Sequence, residues 1–223
     1  MLYFDKSQPA PDCLEIEKQK VSGDYKCGDV LDRIKDDFKN KCYICEISKP
    51  HCINVEHFRP HKGTKDLKFS WENLFWSCAH CNNTKLDKFT NILDCTDINE
   101  EIEARLRYEF KPFPHERVKI HALDHKKSTK STCKLIETVF NGSTKLKVIE
   151  SANLRDSLLK DIRDFQGFLI EYFEETCTGE DQKFVERKIK AHLHVASNFT
   201  SFKRWIIKEN ERLLEEFGHY IRS

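Results

Sequence analysis

The sequence predicts a mainly α-helical protein that carries one small unit held by a metal ion and ends in a C-terminal helical bundle. Apolar residues recur at helical spacing after residue 150, and two Cys-x-x-Cys pairs lie between residues 42 and 81. The chain has 223 residues, 39% hydrophobic and 34% charged. This length and composition are typical of a folded globular protein that buries a core, not of a disordered one.

Composition also bears on where the protein works. No apolar stretch approaches the roughly 20 residues that a membrane-spanning helix needs. The first residues, MLYFDKSQPAPDC, lack the basic and then apolar order of a secretory signal peptide, so we expect a cytoplasmic protein. In that reducing compartment, cysteine pairs bind metal more often than they form disulfides. Six cysteines outside the two pairs are interpreted as buried or incidental thiols: Cys13, Cys27, Cys52, Cys95, Cys133 and Cys177.

Residues 1–40 are predicted to form an N-terminal extension and one helix. The first 22 residues contain Pro9 and Pro11 and are expected to be irregular. The helix is predicted from apolar residues at helical spacing, followed by a plausible stop at Asn40; these residues are Val30, Leu31, Ile34 and Phe38.

Residues 41–95 contain the predicted metal unit. Thiolates three residues apart can face one ion, and two such pairs form the tetrahedral site that zinc prefers. Because four thiolates close the coordination sphere, this zinc is predicted to be structural and to leave no position for water. The four ligands are Cys42, Cys45, Cys78 and Cys81. His80 lies inside the second pair, but the cysteine spacing disfavours it as a ligand.

A carboxylate and an imidazole lie between the cysteine pairs, in the stretch VEHFRP. Glu56 and His57 are adjacent, and neighbouring residues on a strand point to opposite faces. After the second pair, Asn82 offers a neutral oxygen and Lys85 follows three residues later. Glu56 and Asn82 therefore supply oxygen ligands that suit a hard cation such as Mg²⁺.

Residues 96–147 are interpreted as a basic connecting region. The stretch EEIEARLRYEF predicts a short helix or a helix-to-strand transition, and FKPFP ends it. From residue 111 to residue 147 there are nine lysines and arginines against three acidic residues, a local net charge of +6. Such a region can contact phosphates, dock an acidic protein or simply be solvated.

Residues 148–223 are predicted to form a C-terminal helical region that packs on itself or docks a partner. The first helix is predicted from the stripe Leu158, Ile162, Phe165, Leu169 and Phe173. A second helix over 181–196 is predicted from Val185, Ile189 and Leu193, and a third over 200–221 from Phe202, Ile206, Leu213 and Phe217. A break near 141–146, NGSTKL, is the first candidate for a domain boundary.

Over about residues 41–90, the order CxxC, Glu-His, Asn-Leu and CxxC-Asn-x-x-Lys resembles the HNH endonuclease motif of the ββα-metal (His-Me finger) fold. The resemblance implies that His57 is the general base and that Asn73 supports it by binding the hairpin backbone. It implies that Glu56 and Asn82 hold a catalytic Mg²⁺ or Mn²⁺, although many members of the family have Asp at the position of Glu56. Lys85 matches a lysine that meets substrate phosphate, and Arg59 and His61 are weaker candidates for that contact.

The flanking segments resemble the PtuB family, the smaller HNH proteins of Septu and retron anti-phage systems. The segments that carry this likeness include NILDC, LRYEFKPFPHERVKIHALDH and NGSTKLKVIESANLR. The resemblance implies a nucleic-acid substrate, either DNA or tRNA or another RNA, that is cut to 5′-phosphate and 3′-hydroxyl ends. It also implies a PtuA-like ATPase subunit as the partner.

Two other classes of function stay open from the residues. One is a non-catalytic four-cysteine zinc module that binds nucleic acid or protein. The other is an adaptor subunit whose HNH unit has lost activity and whose helices dock a partner. The trio Glu56, His57 and Asn82 favours the nuclease, because a bare zinc module has no need of it.

Overall fold

The computed structural model describes residues 1–221, about half of which are helical. The α-helices in this range are α1 (Cys13–Gln19), α2 (Val30–Asp37), α3 (Lys65–Lys68), α4 (Ala79–Lys85), α5 (Ile102–Arg105), α6 (Lys127–Asn141), α7 (Lys145–Tyr172), α8 (Gly179–Leu193), α9 (Thr200–Lys208) and α10 (Glu211–Phe217). Short 3₁₀ turns cover Trp71–Asn73, Ile98–Glu100 and Gly218–Tyr220. Within residues 1–221, no helix combines the length and apolar character needed to cross a bilayer.

Two small antiparallel sheets complete the secondary structure. Strands β1 (Ile53–His57) and β2 (Leu74–Cys78) pair with Glu56 opposite Phe75 and His57 opposite Leu74. Strands β3 (Leu106–Glu109) and β4 (Lys119–Ala122) form the second hairpin. Helix α4 follows β2 directly and contacts both strands of the first sheet. The chain from residue 53 to residue 85 therefore forms two strands and a helix in sequence.

The N-terminal region is more ordered than the sequence suggested. Residues 13–19 form α1, although the first 22 residues were expected to be irregular. In α2 the predicted stripe is buried at Val30 and Ile34, but Leu31 faces solvent with 42% of its surface exposed. Leu31 follows Val30 by one residue, so it is turned about 100° away from the buried face of the helix.

Cys13 and Cys27 form a disulfide, with their Cα atoms 6.0 Å apart. The interpretation of these two cysteines as incidental thiols was therefore wrong. Their spacing matches no metal motif, and only the return of the chain after α1 brings them together. The described cysteines outside this bond are free, and among these Cys52 is exposed.

The basic region contains regular structure that packs into the core. Helix α6 buries a face that includes Leu135, Ile136, Val139 and Phe140, while its lysines face solvent. Helix α5 passes directly into β3, which confirms the helix-to-strand transition predicted for EEIEARLRYEF.

The C-terminal helices differ from the prediction in their limits. Helix α7 spans 28 residues and begins at Lys145, within the stretch NGSTKL. The third predicted helix is divided into α9 and α10, because the Asn210 side chain accepts a hydrogen bond from the Leu213 amide and starts a new helix. Leu158 and Ile162 of α7 lie in the main core, whereas Phe165 and Leu169 belong to a second apolar cluster with α8 and α10.

Candidate functional site

The four cysteines of the two pairs lie together and are buried. Cys42 and Cys45 lie on a tight turn in which the Glu46 amide donates to the Cys42 carbonyl over 2.9 Å. Cys78 ends β2, and Cys81 lies in the first turn of α4. The four sulfurs are all within 4.8 Å of one another, and the Sγ atoms of Cys45 and Cys78 are 3.9 Å apart. A tetrahedral zinc with bonds of about 2.3 Å requires sulfurs about 3.8 Å apart, so the cluster fits this ion.

The electrostatics of this cluster also favour a cation. Burial and the neighbouring sulfurs hold the pKa of Cys45 and Cys81 well above the usual value for a thiol. Four thiolates at these distances repel one another, and they ionise together only when a bound cation compensates their charge. The chain therefore contains a four-cysteine site that could hold a metal ion such as zinc.

Strand β1 places Glu56 and His57 on opposite faces of the first sheet, as the alternation along a strand requires. The Glu56 side chain is 3% exposed and lies on the inner side, where the Tyr43 hydroxyl donates a short hydrogen bond to Oε1. Lys85 Nζ from α4 is 3.6 Å from the same oxygen. The three groups tie β1 to the cysteine turn and to α4.

Burial has the largest effect on the pKa values of Glu56 and Lys85. Desolvation raises the pKa of Glu56 to about 7 despite the opposing effects of Lys85 and Tyr43, and it lowers the pKa of Lys85. Lys85 is only 1% exposed, and its ammonium also donates to the His57 carbonyl over 3.2 Å. The structure therefore does not place Lys85 where it could meet substrate phosphate. The sequence pattern could not tell whether Lys85 points inward to Glu56 or outward to solvent, because this depends on which face of α4 packs on the sheet.

His57 lies half-buried at the end of β1. Its Nε2 atom is 3.0 Å from the Lys68 carbonyl oxygen. Because a carbonyl only accepts, Nε2 carries the proton and Nδ1 is the basic nitrogen of the neutral ring. Two rings pack against the imidazole with centroid distances of 4.6 Å each, Tyr25 and His61. Desolvation lowers the pKa of His57, which favours the neutral form of the ring.

Asn73 ties the segment after β1 to the start of β2. Its Oδ1 atom accepts from the Arg59 amide over 2.7 Å, and Nδ2 donates to the carbonyls of Arg59 and Leu67 over 2.9 Å each. Its own carbonyl accepts from the Phe58 amide over 2.9 Å. This buried side chain therefore holds the two residues after His57 in place. It is positioned to support the histidine through the backbone rather than to touch a substrate.

The remaining candidates lie at or near the surface. Asn82 is half-buried in the first half of α4, and no hydrogen bond joins its side chain to Glu56 in residues 1–221. The Arg59 side chain is exposed, and His61 lies beside His57 with Nδ1 accepting from the Gly63 amide over 3.1 Å.

The cysteine spacing disfavoured His80 as a metal ligand, and in the structure both of its ring nitrogens have other partners. Its Nδ1 is 2.7 Å from a Glu150 carboxylate oxygen, and Nε2 donates to the Val139 carbonyl over 2.8 Å. These bonds connect α4 to α6 and α7. Glu150 also contributes to the wall of a cleft of about 810 Å³ between the cysteine unit and α7. Neither His57 nor Asn82 lines that cleft.

Sequence reasoning missed two residues of the site. Tyr43 lies between Cys42 and Cys45, and its contact with Glu56 follows only from the turn that brings residues 42–45 beneath β1. Tyr25 belongs to the segment closed by the Cys13–Cys27 disulfide and reaches His57 across 32 residues of chain. No local pattern marks either residue.

Comparisons of the chain with family models, with curated proteins and with solved structures find no match. The assignment of function therefore depends on the residues and contacts described above.

Proposed function

We propose that this protein is a metal-dependent HNH endonuclease that hydrolyses phosphodiester bonds in nucleic acid. The observation that carries the proposal is the position of His57: it is half-buried, and the Lys68 carbonyl fixes its ring so that Nδ1 is free to accept a proton. Desolvation lowers the pKa of His57, which favours the neutral form of the ring. The order of β1, β2 and α4 around the cysteine cluster, with Asn73 bridging the connecting segment, further supports it.

In this proposal His57 Nδ1 takes a proton from a water molecule. The resulting hydroxide attacks phosphorus in line with the leaving group, the bond from phosphorus to the 3′ oxygen breaks, and the products carry 5′-phosphate and 3′-hydroxyl ends. A zinc ion held by Cys42, Cys45, Cys78 and Cys81 would fix the turn and α4 in place and would take no part in the reaction. Asn73 positions the strand end that carries His57.

A catalytic Mg²⁺ or Mn²⁺ would stabilise the charge that develops on the phosphate and the leaving oxygen. Half-buried Asn82 fits the role of an open ligand for such an ion. Glu56 does not fit in the described conformation, because its carboxyl is buried and paired with Lys85 and Tyr43. We therefore assign Glu56 and Lys85 to the support of β1, and Arg59 remains the candidate for contact with substrate phosphate.

The test is a cleavage assay of the His57→Ala protein on duplex DNA and on tRNA, with Mn²⁺ or Mg²⁺ and with zinc content verified. Loss of a general base typically slows a reaction by roughly 10²–10⁴-fold. His125→Ala, at an exposed histidine, is the matched control and should cut normally. Wild-type rates in His57→Ala would contradict the proposal, and no cutting by the wild type on either substrate would favour the non-catalytic zinc module.

We further propose that the protein acts with a PtuA-like ATPase subunit in anti-phage defence. The support is the resemblance of the flanking segments and the exposed lysines of α6, which have no ion-pair partner in the described residues: Lys127, Lys130 and Lys134. Co-expression with a neighbouring ATPase should yield a stable complex on size exclusion. A protein that stays separate from that ATPase would contradict this part of the proposal, and the cleavage assay would then be repeated on the chain alone.

A further inference from the structure

The segment between Cys13 and Cys27, here called the disulfide loop, packs against the candidate catalytic histidine. The Tyr25 ring meets the His57 ring at a centroid distance of 4.6 Å and an angle of 62° between their planes. His61 contacts His57 at the same distance and at 59°. The imidazole is therefore flanked by two rings while its Nε2 donates to the Lys68 carbonyl.

Other contacts fasten the disulfide loop to the segment that carries Lys68. Lys68 Nζ donates to the Gly23 carbonyl over 2.9 Å, and Lys65 Nζ donates to the Lys20 carbonyl over 2.9 Å. Lys18 forms an ion pair with Asp66 over 2.7 Å. The same short segment, residues 65–68, thus both holds the loop and provides the carbonyl that fixes the His57 tautomer.

Gly23 makes this close approach possible. A Cβ atom at this position would lie 1.9 Å from the Glu17 carbonyl oxygen and 3.0 Å from the Phe69 ring, so no larger residue fits without a backbone shift. The loop also closes on itself through the Cys13–Cys27 disulfide, two residues from Tyr25. Both features restrict where the Tyr25 ring can lie.

We propose that Tyr25 is a positioning residue for His57 and that the Cys13–Cys27 disulfide keeps it in place. The ring restricts rotation of the imidazole, which preserves the Nε2 hydrogen bond and leaves Nδ1 as the basic nitrogen. The apolar ring acts here, since the Tyr25 hydroxyl has no hydrogen-bond partner among the described contacts. The catalytic consequence rests on the proposed nuclease function, whereas the effect on the imidazole does not.

The first experiment observes the imidazole directly. Full-length, zinc-loaded protein labelled with ¹⁵N in histidine is examined by NMR at pH 7.5, and the His57 signals are identified by their absence in His57→Gln. The wild type and Tyr25→Phe should show one protonated nitrogen, Nε2, and one unprotonated nitrogen, Nδ1. Tyr25→Ala should show averaged tautomers. Unchanged signals in Tyr25→Ala would overturn the proposal whether or not the protein is a nuclease.

The second experiment measures single-turnover cleavage and, separately, substrate binding without divalent cations other than the bound zinc. Tyr25→Ala should slow cleavage by roughly 10- to 100-fold with unchanged binding, since small misplacements of reacting groups have effects of this size. Tyr25→Phe, which keeps the ring, should cleave at the wild-type rate. The proposal would be overturned if Tyr25→Ala weakened substrate binding without slowing cleavage of bound substrate, or if Tyr25→Phe cleaved as slowly as Tyr25→Ala. Tyr25→Leu replaces Tyr25→Ala if the alanine variant does not fold.

The third experiment tests the disulfide. Reduction of the wild type with a phosphine, which converts the disulfide to two thiols as the phosphine is oxidised, should shift the His57 signals toward those of Tyr25→Ala. The Cys13→Ser/Cys27→Ser protein should show that shift without reductant and respond no further. Cys52→Ser, at an exposed free thiol, is the matched control and should behave as wild type. Equal spectra before and after reduction, with zinc retained, would overturn the role of the disulfide.

Discussion

At the residue scale, His57 is half-buried, and its Nε2 proton is held by the hydrogen bond to the Lys68 carbonyl. Desolvation is the largest cause of its lowered pKa, and the hydrogen bond to the Lys68 carbonyl opposes that shift without cancelling it. A general base works in its neutral form. In the proposed reaction the Nε2 proton stays in place and the proton on Nδ1 of the charged ring must be lost, which happens as the pH rises through the pKa of His57.

A pH profile of cleavage follows from this shift. The rate constant kcat/KM should rise with pH and reach a plateau, with a midpoint below 6.5, because the folded pKa is lower than that of a free histidine. The measurement uses a constant concentration of Mn²⁺ and substrate below KM. A midpoint above 6.5 would mean that another group limits the rate or that His57 is less buried during catalysis.

The raised pKa of the Glu56 carboxyl leads to a second prediction at this scale, on how folding stability depends on pH. Its pKa in the folded state, about 7, lies above the ordinary value of 4.5 for a glutamate side chain, so the folded state holds this proton more tightly than the unfolded state. The associated stability is present below pH 4.5 and is lost as the pH rises through 7. The shift corresponds to about 3 kcal/mol.

Glu56→Gln removes this titration. Between pH 4.5 and pH 8, the free energy of unfolding of the wild type should fall by about 3 kcal/mol relative to Glu56→Gln, measured by urea denaturation without added magnesium. Glu215→Gln, at an exposed carboxylate, should leave the pH dependence unchanged. Parallel curves for the wild type and Glu56→Gln would contradict this prediction, because they would mean that Lys85 and Tyr43 offset the effect of burial and leave the pKa of Glu56 unshifted.

At the element scale, the cysteine unit has a small sheet and a short helix, and such elements need additional stabilisation. Strands β1 and β2 have five residues each, and α4 has seven. The turn at Cys42 and Cys45 packs beneath this sheet, where the Tyr43 and Phe75 rings are 5.1 Å apart. A metal bound by the four sulfurs would join the turn, β2 and α4 at one point.

Replacement of any one of the four cysteines by serine should therefore lower both zinc content and stability. Structural zinc sites contribute apparent binding free energies of roughly 10–16 kcal/mol in small peptides at neutral pH. We expect the purified wild type to contain one zinc per chain by atomic absorption, and Cys81→Ser to contain less and to unfold at lower urea concentration. Cys52→Ser is the control. Full stability of the wild type without any bound metal would contradict the prediction.

At the scale of the whole molecule, the cysteine turn depends on the C-terminal region. Lys41 Nζ donates to the Val195 carbonyl and the Thr200 hydroxyl over 2.9 Å each, and the Ser201 amide donates to Glu46 over 2.9 Å. These groups are buried next to the turn that carries Cys42 and Cys45. The C-terminal helices therefore form part of the support of the metal site, whatever partner they contact.

Thr200→Val tests this support. It removes the hydroxyl partner of a buried ammonium whose pKa is already lowered to about 8 by desolvation. Leaving a buried polar group unsatisfied typically costs about 1–3 kcal/mol, more for a charged group, and the loss should be seen in urea denaturation. Thr90→Val, at an exposed position without a described hydrogen bond, is the control. Equal stability of the two variants would mean that the Val195 carbonyl and the Glu46 carboxylate satisfy Lys41 without the hydroxyl.

Local sequence patterns predicted the structure correctly where a short stretch of residues specifies its own conformation. The spacing of the CxxC pairs predicted the cysteine cluster, and the stripes at Leu158 and Val185 predicted buried helix faces. The Glu-His order predicted opposite faces of one strand. The break between α9 and α10 was missed, although the Asn210 cap is a local signal, because the apolar stripe continues across it.

The sequence by itself determined which cysteines could bind metal, which helices are amphipathic, and that Glu56 and His57 point to opposite faces of a strand. Only the tertiary structure decided what those side chains contact. It turned Lys85 inward onto Glu56, bonded Cys13 to Cys27, and placed Tyr25 against His57. The physical reason is that periodicity and spacing specify a face or a ligand pair locally, whereas ion pairs, disulfides and ring contacts depend on chain segments that meet only when the core forms.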